Sequence, residues 1–452
     1  MSDVTPSGPV GRAAELAALA PRSAALSLAW PGIVENLIRV GAQTVFFAFV
    51  GHIGADELAA YGASVQYLFL LFPIWQSLSI GTIALVSRRM GSGEPEEAAV
   101  YARQSLLLGL ALAVATGIIF AIFAEQLLLL FGTTTEVARI GAPYLRLSGG
   151  VNAVTTLLVI AMAALRGAGD TRSPFVITAV TAVISVPLGY VLLGTMGLIG
   201  VAIAWIVANG VGLAWTLALL VRGRAGLHLG REGWRLDVDR ARTLLDISLP
   251  ASGDQAAITL GVYLLGFLAL RFGTGTYAAH NVVGQVESIS FLPCIGFATA
   301  ASVMVGQSLG MNDVHRADRA AWAAAQTAVL WTSLAGLAMV ILAEPAMNAF
   351  TNDPRVVAAG VGALRVIGFG QPAQAINFVM GGALRGAGDT RFMMFATITN
   401  WFVVRLPVAI LFGFVLGFGL TGLWLGIFVD YFVRSAILIW RFRSRAWARL
   451  RY

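Results

Sequence analysis

The sequence is poor in charged residues and cysteine and has no lysine. Charged residues make up 12% of the chain, about half of what a soluble domain carries. Hydrophobic residues make up 58% and the mean hydropathy is +0.80. Cys294, the single cysteine, lies in an apolar run, which excludes an intramolecular disulfide and is typical of a small buried hydrophobe. The composition therefore indicates a polytopic membrane protein.

Enzyme motifs are also missing from the sequence. There is no GxxxxGK[ST] phosphate loop, no HExxH, no CxxC and no aspartate-rich metal cluster. The letters GAGDT resemble a phosphate loop only superficially, because they lie between two apolar runs with no preceding strand. We therefore expect no cofactor, no metal and no enzymatic activity. A membrane enzyme would need a catalytic cluster in a polar loop, and the long loop at 222–242 lacks one.

Most of the positive charge lies in alternate loops. The net charge is +7, and all thirty basic residues are arginine. They concentrate in loops such as 222–242 and in the tail after Trp440, whereas the loops at 51–57, 194–197 and 417–419 have none. This is the positive-inside pattern, which predicts a plasma (inner) membrane protein with both termini in the cytoplasm. The first residues lack an apolar core with a cleavage site, so we expect no cleaved signal peptide. Because the arginines are distributed over the loops of one membrane face, we also expect no nucleic-acid partner.

The letters ALRGAGDTR occur twice, at 164–172 and at 383–391, 219 positions apart. Pro31 and Pro250 share this spacing, as do Glu35 and Asp254. The chain is therefore interpreted as two homologous halves. Twelve apolar runs are long enough to span a bilayer: 24–50, 58–86, 99–124, 137–165, 174–194, 198–221, 243–270, 277–306, 320–343, 356–384, 393–416 and 420–440.

Six spans per half is an even number, so both halves enter the membrane from the same side and the repeats are parallel. The predicted fold is an all-α polytopic membrane protein with twelve transmembrane helices in two parallel-repeat six-helix lobes. The predicted boundaries are a cytoplasmic N-terminal segment at 1–23, an N-lobe at 24–221, a cytoplasmic linker at 222–242, a C-lobe at 243–440 and a basic cytoplasmic tail at 441–452.

Two acids inside the spans have no base four residues away on their own helix. Asp254 is flanked by Pro250 and Ile258, and Glu287 has no such neighbour either. Burial of an unpaired carboxylate disfavours its charged form, so we predict that both acids can take up and release a proton and thus act as proton carriers. The open alternative is that Arg405 neutralises one of the two.

Two other acids have a base at the helical spacing of four. Glu35 precedes Arg39, and Asp430 precedes Arg434, so each pair is predicted to meet on one helix face. We interpret Asp430 as part of a structural ion pair. Glu35 remains a subsidiary candidate for cation coupling, because its repeat mate is also acidic.

Other polar residues complete the expected site. Six could line a watery cavity: Gln66, His280, Asn281, Gln285, Gln374 and Asn377. In the repeated loop, Arg166 and Arg385 are expected to bind the last carbonyls of the preceding helix, while Asp170 and Asp389 cap the next one.

The repeated motif and three further stretches resemble a known family. These stretches are VGHIGADELAAYG at 50–62, GTGTYAAHNVVGQVESISFLP at 273–293 and VGQSLG at 305–310. Together with the duplication, they make nearly the whole chain similar to the multidrug and toxic compound extrusion (MATE) transporters. The resemblance implies two six-helix lobes around a central cavity, and export of amphipathic, often cationic compounds in exchange for H+ or Na+.

The chain departs from the family pattern at its usual cation sites. Phe46 and Phe47 stand where many similar members have an Asp-Thr pair, and Ser185 and Gly189 replace the usual Asn and Asp of the fifth span. Gln374 stands where some Na+-driven members have Asp. We therefore assign cation coupling to the C-lobe acids Asp254 and Glu287, with Glu35 subsidiary.

The expected function is secondary active antiport of amphipathic, cationic drugs or metabolites by alternating access. H+ is favoured over Na+, because the acids are few and not clustered with several oxygen ligands. The alternative is a flippase for a lipid-linked precursor, which would be expected to have extra spans and a more basic cavity. The expected partners are small-molecule substrates, H+ or Na+ and the lipid bilayer, and we expect a monomer.

Overall fold

The computed structural model describes residues 19–230 and 233–450. Every regular element in that part of the chain is helical, which confirms the predicted all-α fold. The predicted N-terminal segment at 1–23 lies almost entirely outside the described residues, as do the last two residues of the tail.

From residue 19 to residue 230, the structure shows eight α-helices: α1 (Pro21–Gly51), α2 (Ala55–Leu70), α3 (Phe72–Gly91), α4 (Pro95–Leu130), α5 (Thr135–Gly150), α6 (Ala153–Gly167), α7 (Arg172–Met196) and α8 (Leu198–Val221). The second half contains α9 (Val238–Leu270), α10 (Thr274–Gly310), α11 (Val314–Ile341), α12 (Ala343–Asn348), α13 (Pro354–Gly386), α14 (Thr390–Thr399), α15 (Leu406–Ile410) and α16 (Gly419–Arg443). Two π-helical segments, Asn400–Arg405 and Leu411–Val415, flank α15.

The number of membrane spans agrees with the sequence analysis. Within residues 19–230 and 233–450, eleven helical segments are long and apolar enough to cross a membrane, and the bent pair α5–α6 makes twelve. Helices α2 and α3 together form one of these segments, and α14 continues through α15 to form another. Each half therefore supplies six spans, as the twelve apolar runs predict.

Glycine and proline mark the places where spans bend. Helices α5 and α6 meet at 41° just after Gly149 and Gly150. Asn152 fixes this bend, because its Nδ2 donates to Thr116 Oγ1 at 2.8 Å. Pro407 cannot donate a backbone hydrogen bond, and the chain widens into a π-helical turn directly before it.

The chain forms two compact units, and unit 2 is built from two separate stretches of the sequence. Unit 1 comprises Val34–Asp246. In the described part of the chain, unit 2 comprises 19–33 and 247–450. Helix α1 therefore begins in unit 2 and ends in unit 1, while α9 begins in unit 1 and ends in unit 2. Each unit has its own apolar core, built around Phe46, Tyr61 and Tyr144 in unit 1 and around Leu364, Leu423 and Trp424 in unit 2.

Candidate functional site

The repeated nonapeptide forms a tight turn after α6. Gly169 has a φ of 90°, its N–H donates to the Arg166 carbonyl at 2.8 Å, and the Asp170 N–H donates to the Leu165 carbonyl at 2.9 Å. This is a Schellman turn, in which backbone donors satisfy the last carbonyls of a helix. The second copy after α13 has the same bonds, at 3.0 Å from Gly388 to Arg385 and 2.9 Å from Asp389 to Leu384.

This turn explains why one prediction was wrong. Arg166 and Arg385 were expected to bind helix-terminal carbonyls, but backbone N–H groups already bind those carbonyls in both copies. The two guanidinium groups reach other partners, described below.

The Gly169→Ala variant should be less stable than the parent by about 1 to 2 kcal/mol, because a side chain with positive φ brings its Cβ close to the next carbonyl. Thermal unfolding in detergent would measure the change. Gly210→Ala is the matched control: Gly210 lies inside α8, and a Cβ there would meet nothing within 4 Å. That control should be neutral or stabilise by up to about 1 kcal/mol. Equal unfolding temperatures for the Gly169→Ala variant and the parent would contradict the assigned role of Gly169.

The repeat arginines bind the acids of the first helix in each half. Arg166 Nη2 lies 2.5 Å from Glu35 Oε1, and Arg385 Nη2 lies 2.5 Å from Asp254 Oδ2. Both pairs join residues 131 positions apart, so the duplication has preserved one ion pair in each half. The predicted pairing of Glu35 with Arg39 is therefore wrong, and Arg39 Nη2 instead donates to Asn36 Oδ1 at 2.8 Å.

Asp254 has partners on three other helices, contrary to the prediction that it is unpaired. It is fully buried and, besides Arg385 on α13, it accepts a hydrogen bond from Thr397 on α14. Arg434 on α16 lies 3.8 Å from Asp254 Oδ1 and donates to Thr397 Oγ1 at 2.7 Å. A search for bases on the same helix could not find these partners. We call this arrangement, two guanidiniums around one carboxylate, the clasp; that Asp254 also couples to a cation stays a prediction.

The repeat aspartates also bind arginines of their own half. Asp170 Oδ1 accepts from the backbone N–H of Arg172 and Ser173 at 3.1 and 3.0 Å, which confirms the predicted cap of α7. Its Oδ2 accepts from Arg224 Nε at 3.0 Å. Burial raises the pKa of Asp170, but the bonds from Ser173 and Arg224 outweigh it, so the pKa lies below its ordinary value.

The second repeat aspartate has lost the capping role. Asp389 accepts from Arg441 Nε at 2.7 Å but makes no side-chain bond to the first turn of α14. The predicted cap is therefore wrong at this position. The Thr390 N–H bonds to the Gly388 carbonyl instead, at 2.8 Å.

A second buried ion pair joins α16 to the π-helical turn before α15. Arg405 Nε donates to Asp430 Oδ2 at 3.0 Å, and the guanidinium carbon lies 3.8 Å from the ring centre of Trp401. The predicted pairing of Asp430 with Arg434 is therefore wrong, because Asp430 pairs with Arg405. The alternative pairing of Arg405 with Asp254 or Glu287 is not observed: the ion-pair partner of Arg405 is Asp430, and its guanidinium carbon lies 5.4 Å from the ring centre of Tyr431, which binds Glu287.

Glu287 on α10 is the buried acid with neutral partners. Its Oε1 accepts from the Tyr431 hydroxyl at 2.8 Å and from Gln374 Nε2 at 3.2 Å, with Gln371 Nε2 at 3.5 Å. Gln374 Nε2 also contacts the Tyr431 hydroxyl at 2.8 Å. Glu287 is 7% exposed, and among the described residues it forms no ion pair. A carboxylate held in this way can change its protonation state without breaking a salt bridge.

The other predicted cavity residues lie in different surroundings. We call Glu287, Gln371, Gln374 and Tyr431 the Glu287 cluster. Asn377 belongs to it as well, since its Nδ2 donates to the Tyr431 carbonyl at 3.1 Å. His280 packs beside Trp424, with ring centres 5.5 Å apart. Three residues lie outside the cluster: Asn281 and Gln285 on an exposed face of α10, and Gln66 half-buried on α2 in unit 1.

In unit 1, Phe46 fills the place of an expected polar site. Its side chain is 2% exposed and lies 6.3 Å from the ring of Trp205, centre to centre. A Cβ built on Gly189 would lie 3.0 Å from Phe46 Cζ, so the missing side chain at 189 makes room for this ring. The Ser185 hydroxyl donates to the Ala182 carbonyl at 3.3 Å. An apolar core thus occupies the position at which the family resemblance led us to look for acids.

Tyr431 and Thr397 each contact an acid of unit 2 but were not among the residues predicted from the sequence. A usable signal existed for Tyr431. Tyr431 and Ser435 are four apart on α16 and face Gln374 and Asn377, which are three apart on α13. Thr397 gave no local signal, because a lone threonine in an apolar run commonly bonds its own helix.

The MatE family model matches two segments of the chain, 31–191 and 250–411. Their starting points are 219 residues apart, which is the spacing of the internal repeat. A probable multidrug resistance protein NorM from Thermotoga maritima is 27% identical over 443 residues, which cover 95% of this chain and 93% of that protein. A probable multidrug resistance protein NorM from Rhodopseudomonas palustris is 29% identical over 436 residues, which cover 92% of this chain and 90% of that protein.

Solved structures show the same fold. A point mutant of the Vibrio cholerae MATE transporter VcmN is 22% identical with a TM-score of 0.88, and the match covers 97% of this chain and all of the other. Because the family model matches well over half of the chain, this protein belongs to the MatE family of multidrug and toxic compound extrusion transporters.

Proposed function

We propose that this protein is a secondary active efflux transporter that exports amphipathic, cationic compounds in exchange for H+. Glu287 carries the proposal. It is a buried acid held by neutral donors, while Asp254 and Asp430 in the same unit are bound to arginines. The drug-resistance names of the relatives support export of drugs or similar metabolites, and the family supports a transporter rather than an enzyme.

The buried charges of unit 2 suggest how a proton and a cation compete. The three carboxylates of Asp254, Glu287 and Asp430 balance the three guanidiniums of Arg385, Arg405 and Arg434 when Glu287 is ionised. Protonation of Glu287 leaves one net positive charge. For a cationic substrate about 7 Å from Glu287, this protonation would remove about 2 kcal/mol of electrostatic attraction at an effective dielectric constant of about 20. Proton entry therefore favours release of the cation, which provides the coupling.

H+ suits this site better than Na+ in the observed arrangement. The groups nearest the Glu287 carboxylate are a hydroxyl and amide nitrogens, which donate hydrogen bonds. Na+ is the competing ion, since the buried amide oxygens of Gln371 and Gln374 have no hydrogen-bond partner among the described residues. Rotation of both amides would turn these oxygens toward the carboxylate.

The remaining features of the proposal follow the sequence analysis. The two lobes alternate between outward-open and inward-open states. The protein works as a monomer in the plasma membrane, with both termini in the cytoplasm, and the predicted boundaries of lobes, linker and tail are retained. Small molecules and the coupling ion are its partners.

Purified protein in proteoliposomes, with pH and Na+ gradients imposed independently, tests the function. Transport of a cationic dye such as ethidium should follow the pH gradient in Na+-free buffer. A Na+ gradient at equal pH should drive no transport. Transport driven by the Na+ gradient but not by the pH gradient would identify Na+ as the coupling ion instead of H+. Transport that follows neither gradient would refute secondary active antiport of this substrate class.

A further inference from the structure

A cavity of about 420 Å3 opens in unit 2 between the start of α1 and the first turns of α11. Five of its lining residues carry polar or aromatic groups: Arg22, Asp318, Arg319, Trp322 and Gln326. The cavity lies apart from the Glu287 cluster, which is built on α10, α13 and α16. It therefore needs an explanation of its own.

Within residues 19–230 and 233–450, the charged groups around this cavity have no ionic partner. Arg22 Nη2 donates to Gln326 Oε1 at 2.8 Å, and the Arg22 side chain is exposed. Among the described residues, no ion pair includes Arg22, Asp318 or Arg319. Two guanidiniums and one carboxylate thus face one opening, which suits a ligand with an anionic and a cationic group.

The position of the cavity fits the lipid headgroup region. Both helices begin here, next to arginine-rich segments that the sequence assigns to the cytoplasmic side. Arg443, at the end of α16, places its guanidinium carbon 5.8 Å from the ring centre of Trp322. Tryptophan and arginine at the end of a span are typical of the membrane interface. A lipid headgroup can reach such an opening from the side.

We propose that this cavity binds the headgroup of a phosphatidylethanolamine molecule. Arg22 and Arg319 bind the phosphate, and Asp318 binds the ammonium group. Trp322 packs against the glycerol and the upper acyl chains. Phosphatidylglycerol would satisfy the arginines but offers no cation to Asp318. The bound lipid would tie the first turn of α1 to α11.

Native mass spectrometry of the full-length protein, titrated with phosphatidylethanolamine, tests this site. The Arg22→Gln, Arg319→Gln double variant should bind the lipid about tenfold more weakly or worse, since each interfacial arginine contributes to headgroup attraction. Asp318→Asn should weaken phosphatidylethanolamine binding but leave phosphatidylglycerol binding unchanged. Arg355→Gln is the matched control, because Arg355 is an exposed arginine of the same unit that pairs with Asp353 and does not line the cavity. It should bind the lipid as the parent does.

Two further ligands separate the possible sources of the phosphate. Inorganic phosphate and glycerophosphoethanolamine, which has no acyl chains, should bind far more weakly than the lipid. Equal binding of these soluble ligands would make the cavity an anion site and overturn the proposal. Unchanged lipid binding in both variants, or a preference for phosphatidylglycerol that Asp318→Asn does not alter, would overturn it too. Arg22 and Arg319 are exposed and Asp318 is half-buried, and gel filtration would verify that the variants stay folded.

Discussion

The Glu287→Gln variant should lose pH-gradient-driven export by about 10- to 100-fold, the size expected when a coupling free energy of this kind is removed. Glutamine keeps the shape of the side chain and its contacts with Tyr431 and Gln374, but it cannot take up a proton. Dye binding to the parent should weaken as the pH falls. Binding to the variant should be weak and independent of pH. Both properties can be measured on the same purified protein.

Two further variants make this result specific. Glu344→Gln removes an exposed acid of the same unit and should transport as the parent does. Glu287→Asp keeps a titratable group and should retain part of the pH-dependent transport. Undiminished export by Glu287→Gln along a pH gradient would place the coupling elsewhere. A loss confined to transport along a Na+ gradient would identify Na+ as the coupling ion.

The Asp254→Asn variant should lose about 3 to 5 kcal/mol of stability, because removing one partner leaves buried charges without compensation. Arg385 and Arg434 would then face each other with no carboxylate between them. We expect lower amounts of folded protein and a lower unfolding temperature in detergent. Residual transport per folded molecule should keep its pH dependence, which separates a structural clasp from a coupling site.

The pseudo-symmetric position provides the control for Asp254. Glu35→Gln removes the equivalent acid of unit 1, whose side chain is 14% exposed and which binds only Arg166 among the ion pairs of the described residues. Its stability loss should be smaller than that of Asp254→Asn. The Asp254→Asn, Arg385→Gln double variant should lose less than the sum of the two single losses. Additive losses would show that the clasp does not act as a unit.

The fold could be predicted because its signals are local or periodic. Apolar runs of about twenty residues indicate spans one at a time, and the 219-residue repeat indicates how they are grouped. Glu287, Gln374 and Asn377 were named in advance, since a polar side chain in an apolar run is conspicuous wherever it points. Their mutual contacts were not predictable, because they depend on how α10, α13 and α16 pack.

The errors concern partners that lie on other helices. Asp254 was interpreted as unpaired and Asp430 as paired with Arg434 from residues four apart on one helix, and Arg405, the cross-helix base that was considered, was matched with the wrong acids. Arg385 lies 131 residues from Asp254. The repeat contained a usable signal, since an acid and an arginine recur at that separation in both halves.

Each half of the chain carries the arginines that bind its own repeat acids. Glu35 with Arg166 and Asp170 with Arg224 precede Gly230, whereas Asp254 with Arg385 and Asp389 with Arg441 follow Gly233. A gene interrupted between the codons for those two glycines would encode two polypeptides, and neither would have to insert Glu35 or Asp254 into the bilayer without its arginine. Two six-span pieces expressed separately could therefore each insert with these acids already paired. The same would have held for an ancestor that consisted of one six-span half.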